Sequence, residues 1–90
     1  MVKELELIKF RNKLSDFTLR NSNTNFRYAI DRPIVIKFLT VQQMADGLRQ
    51  SRPTIGLWRK GKNLPHHVMR RRIFEWLDKT VSIEIARLRK

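Results

Sequence analysis

The chain has 90 residues, with 20 Lys and Arg against 8 Asp and Glu, a formal net charge of +12. That length suits a single domain over 1–90, and a hydrophobic content of 41% supplies a real core, which excludes a disordered basic tail. No apolar run approaches the roughly 18 residues of a membrane span, and the absence of cysteine removes disulfides and thiolate metal sites. The start, MVKELELIKF, lacks the basic-then-apolar layout of a secretory signal, so a cytoplasmic protein with no membrane partner is expected. Self-repulsion of this size points to a polyanionic partner, although DNA, RNA and an anionic membrane share the required sign. Residues 1–45 carry eight basic and four acidic side chains, net +4, and residues 46–90 carry twelve and four, net +8. The polyanion is therefore expected to meet mainly the second half.

In chain order, Val2 to Leu19 reads as an amphipathic helix. Leu7, Phe10, Leu14 and Phe17 recur at spacings of three and four, which stacks them on one face. The run Asn21-Ser22-Asn23-Thr24-Asn25 reads as the loop that ends it, because these side chains bond nearby backbone and favour turns. Pro33 disfavours a continuous helix through 26–39. The β-branched and aromatic run at 34–39 suits a short strand, and 81–85 alternates with period two and suits its partner. The competing readings are a short helix with Asp31 near its cap and Pro33 in its first turn, and a last helical turn at 81–85.

From Thr40 the signals sharpen. Thr40 suits the cap of a helix whose apolar face is Met44, Ala45 and Leu48. Ser51 suits the cap of a second helix, with Pro53 tolerated in its first turn and Ile55 and Trp58 on its apolar face. Gly61 stops that helix. A supporting helix over 66–79 presents Met69, Ile73, Trp76 and Leu77 on one face. Only a few residues separate the first two helices, which is the helix-turn-helix spacing.

These residues, Thr40-Val41-Gln42-Gln43-Met44-Ala45, Ser51-Arg52-Pro53-Thr54-Ile55 and Trp58 to Pro65, resemble the lambda-repressor and Cro-like helix-turn-helix family. The likeness covers the 26 residues 40–65 in one ungapped register. Three positions depart from the pattern. Arg49 stands where the turn usually has Gly, Gln50 where a small apolar residue packs under it, and Gly47 lies inside the first helix. The long helix that usually precedes the Thr is not evident in 26–39, and Val2–Leu19 is the candidate for its role. The resemblance implies a mainly α, lambda-repressor-like bundle, with the short β element as an optional addition. It implies that Arg52, Pro53, Gly56 and Leu57 face base edges in the major groove. Arg52 suits guanine, whose O6 and N7 accept from one guanidinium. It implies phosphate contacts from Thr54, Arg59, Lys60, Lys62 and Asn63, which set register and affinity. Arg70-Arg71-Arg72 reads equally as a solvated face or as further DNA contact, with the Arg72 stem laid along the core.

Chemistry for an enzyme is not evident. His66 and His67 are neighbours and diverge by about 100° on a helix, a poor metal pair. The carboxylates show no close acid–base pair, and there is no glycine-rich phosphate loop. No cofactor or small-molecule ligand is expected. The leading expectation is a sequence-specific, double-stranded DNA-binding transcriptional regulator of a phage, plasmid or other mobile element, acting as a homodimer on paired half-sites. Two alternatives stand beside it. One is an interaction protein on the same scaffold, antitoxin-like or nuclease-binding. The other is a basic RNA-binding protein, against which Trp58, Phe74 and Trp76 count, because they fall at core or near-core spacings rather than as exposed stacking platforms.

Overall fold

The computed structural model describes residues 3–19 and 21–90, and the side chains of all of these except 17–19. Five helices form among the described residues: α1 (Glu4–Leu19), α2 (Asn23–Val35), α3 (Val41–Leu48), α4 (Arg52–Arg59) and α5 (His67–Leu88). In α1, Leu7, Phe10 and Leu14 are buried as their spacing predicts, while Phe17 is among the side chains not described. Glu4 and Glu6 sit in its first turn, where negative charge opposes the helix dipole. The two long helices, α1 and α5, pair antiparallel. Arg89 Nε lies 2.5 Å from Glu4 Oε1 at one end, and Asn21 Nδ2 donates to the His67 carbonyl at 3.4 Å near the other.

The supporting helix runs well past residue 79. Val81 and Ile85 are buried and Ile83 is 62% exposed, so the period of four prevails over the apparent alternation. A strand would have put all three on one face. The expected β element is absent among the described residues at both of its positions.

The stretch before Thr40 is helical where the sequence favours a strand. The Asn-rich run does not merely end α1: it starts α2, with the Ser22 hydroxyl accepting from Asn25 N–H at 3.1 Å. Phe26, Ala29, Ile30 and Pro33 fall on the buried face. Pro33 lies in the last turn rather than the first, so the helix loses one late hydrogen bond and ends two residues later. A helix does therefore precede Thr40 directly. α1 does not take that role: it packs along α5, while α2 lies against α4. The core gathers around Phe26, whose ring centroid is 5.5 Å from that of Trp58, edge-on, and 6.0 Å from that of Phe74.

Three successive helices end alike. After α2, Phe38 N–H reaches Pro33 O and Lys37 N–H reaches Ile34 O; after α3, Gln50 reaches Ala45 and Arg49 reaches Asp46; after α4, Lys62 reaches Leu57 and Gly61 reaches Trp58. This paired closure needs one residue at positive φ. Gly61 supplies it at +80°, but Lys37 at 62° and Arg49 at 56° do so with a β-carbon. The turn between α3 and α4 thus closes on Arg49, without a glycine at its positive-φ position. Gly47 has a packing reason: a β-carbon there would lie 2.0 Å from Cζ2 of Trp76, whose indole covers the α3 backbone.

Candidate nucleic-acid interface

Two capped helix starts define this face. Thr40 Oγ1 accepts from Gln43 N–H at 3.0 Å while Gln43 Oε1 accepts from Thr40 N–H at 2.9 Å, closing a reciprocal cap on α3. Ser51 Oγ accepts from Thr54 N–H at 3.2 Å and fixes the start of α4. Both caps are those expected from the sequence.

With α4 so placed, Ile55 and Trp58 point into the core. What remains outside is the row Arg52, Gly56, Lys60, at spacings of four, with Pro53 beside it; Arg52, Pro53 and Lys60 are exposed. A β-carbon added at Gly56 would meet nothing within 4 Å. The middle of the row is bare backbone between two cations. Leu57 is half-buried and presents only part of its side chain.

The loop after α4 is held at several points. Lys62 N–H donates to Leu57 O at 2.9 Å, Trp58 Nε1 donates to Asn63 O at 3.1 Å, and Arg70 Nε donates to Pro65 O at 2.8 Å. The Arg27 side chain lies over Gly61 and donates from Nε and Nη2 to Arg59 O at 3.4 and 3.3 Å. Lys60, Lys62 and Asn63 are exposed on this fixed frame. Two other phosphate candidates are engaged within the protein. Arg59 Nε is 2.8 Å from Asp31 Oδ1, and the Thr54 hydroxyl is 2.8 Å from that of Ser51.

The arginine run resolves differently from its sequence reading. Arg70, not Arg72, is the buried member, at 6% exposure, with its guanidinium carbon 5.4 Å from the Phe26 ring centroid. Its Nη1 is buried without a hydrogen-bond partner among the described residues. Arg71 and Arg72 are exposed. Sequence reasoning missed Arg27, Asp31 and Arg70 as the groups that fix α4 and its loop. Arg27 and Asp31 are four apart, a signal that becomes readable once α2 is taken as a helix.

Among the described residues, no group of three or more His, Cys, Asp or Glu is placed to hold a metal ion, and no helix is long and apolar enough to cross a membrane. No family model, no curated protein and no solved structure matches the chain.

Proposed function

We propose that the protein is a sequence-specific, double-stranded DNA-binding transcriptional regulator of the lambda-repressor and Cro-like kind that residues 40–65 resemble, serving a phage, plasmid or other mobile element. The observation that carries this reading is the outer row of α4. Arg52 and Lys60 flank an open Gly56, on a helix whose ends are pinned by Ser51, Arg27 and Asp31. A B-form major groove about 12 Å wide admits one α-helix, and the bare centre lets the backbone approach base edges closely. Arg52 and Pro53 read bases at the leading end, with Gly56 and part of Leu57 one turn on. Lys60, Lys62 and Asn63 contact phosphate. Thr54 and Arg59 chiefly hold the helix in place. Two copies on adjacent half-sites multiply the few base pairs that one module reads. This function needs no cofactor, small-molecule ligand or membrane.

The decisive experiment is selection of binding sites from a random duplex DNA pool, followed by the same pool as single-stranded RNA. A symmetric enriched duplex motif is the expected result. Enrichment in RNA alone, or none in either pool, overturns the reading. The burial of Trp58 and Phe74 already weighs against an RNA surface built on base stacking.

A further inference from the structure

An apolar groove of about 670 Å³ runs between the end of α3 and the first half of α5. Its floor is Leu48, Met69 and Trp76, and Val68 stands on its rim at 69% exposure. None of the described residues lining it belongs to α4 or to the loop at 60–65. Beyond it, Ile83 is 62% exposed and extends the same face of α5, seven residues on from Trp76. Large exposed aliphatic groups next to a concave apolar surface mark an interaction site.

Charge identifies the occupant. The formally charged residues among those lining the groove are Arg49 and Arg72, both cations and both exposed. The nearby Asp46 carboxylate is turned along its own helix and accepts from Gln42 Nε2 at 2.8 Å. A second copy docked groove to groove would bring the Arg49 and Arg72 cations of both molecules to one interface, and like-charge juxtaposition opposes that arrangement. An acidic segment meets the opposite situation. An apolar surface that follows α5 from Met69 through Trp76 toward Ile83 and carries a cationic rim suits a helix whose apolar face carries anchors at spacings of three and four and whose flanks carry carboxylates.

We propose that the groove between α3 and α5, floored by Leu48, Met69 and Trp76 and rimmed by Arg49 and Arg72, docks an acidic amphipathic helix of a partner protein. The site is separate from the row on α4, so it stays open while α4 engages a polyanion, and the protein carries a second chain on its outer side.

The test is a nuclear magnetic resonance titration of the whole chain with two synthetic helical peptides. They share the same leucine anchors and carry either Glu or Lys at the flanking positions. The expected result is shifting of the Met69 methyl and Trp76 indole signals by the Glu peptide, with affinity at least about ten-fold above that of the Lys twin. The exposed double variant Arg49→Glu with Arg72→Glu reverses the preference, and Val68→Ser, which removes apolar surface from the rim without adding charge, weakens both peptides. Circular dichroism checks that each variant is folded. Three results overturn the proposal: shifts centred on Arg52 to Lys62, shifts at Met69 and Trp76 that depend on protein concentration without peptide, or no shift at all. A duplex DNA titration of the same samples reports separately on the function proposed above, so failure of one reading is distinguishable from failure of the other.

Discussion

Arg52 and Lys60 are both exposed cations on one row of α4, yet they are expected to behave differently. Arg52 is the first residue of α4 and Lys60 its C-cap, so in the proposed complex Arg52 would face base edges in the major groove and Lys60 the phosphate backbone. Arg52→Ala should cost about 1–3 kcal/mol on the selected site and much less on random duplex, while Lys60→Ala should weaken both DNAs by similar factors. Fluorescence anisotropy on the two duplexes measures the ratio. Equal losses for Arg52→Ala would make it a phosphate ligand and move base readout to Pro53, Leu57 or elsewhere. Trp58 acts through stability instead. It is 3% exposed, stacks edge-on with Phe26 and holds Asn63 O. Trp58→Ala should remove about 3–5 kcal/mol, a large share of the stability of a small domain. The thermal midpoint should fall by at least about 12 °C. A fall of only a few degrees would place the ring outside the core.

At the scale of elements, legibility followed the range of the forces involved. The Thr40 and Ser51 caps, Gly61 as a stop and the apolar face of α1 are fixed within a few residues, and the sequence shows them. The α2 helix was hidden because Pro33 and a β-branched run argue locally against helix. The burial of Phe26, Ala29, Ile30 and Pro33 against other elements prevails, and it is not a local quantity. Arg70 was hidden for the same reason, since only the fold brings Pro65 O and Phe26 to it. The outer row of α4 was legible, but the partners that hold that helix, Arg27 and Asp31, depended on recognising α2. Gly47 shows propensity and packing in direct conflict. On propensity alone, Gly47→Ala should stabilise α3 by about 1 kcal/mol. The added carbon would meet Trp76, so the variant should instead lose about 1–3 kcal/mol. In a Trp76→Ala background the sign should reverse, a result that chemical denaturation of the four proteins of the cycle reads directly. Failure to reverse would mean that Trp76 is not the obstacle. Lys37 offers the opposite test, because its φ of 62° burdens a β-carbon that glycine lacks. Lys37→Gly should raise stability by up to about 1 kcal/mol, the relief of left-handed strain less the entropy of a freer unfolded chain.

At the scale of the whole molecule, a net charge of +12 makes affinity for any polyanion unsurprising, so binding alone says little about the face used. What separates a docked helix from bulk attraction is which cations release counterions from DNA. Six or more phosphate contacts should lower affinity by about 10³ or more between 50 and 200 mM salt. Each lysine in true contact carries about one unit of that slope. Lys60 and Lys62 are exposed at the end of α4, whereas Lys9 is exposed on α1, a helix packed against α5 and α2. Lys60→Ala and Lys62→Ala should each reduce the salt slope by about one for every bound copy, and Lys9→Ala should leave it unchanged although it removes the same formal charge. The contrast works because at 0.1 M salt a charge is screened over about 10 Å, so a lysine remote from the duplex contributes little to the slope. Affinities measured across a salt series on one duplex give all four slopes, that of the parent protein included. Equal reductions for Lys9 and Lys60 would show that the duplex meets the molecule as a diffuse positive body, with α4 no more than one part of its surface.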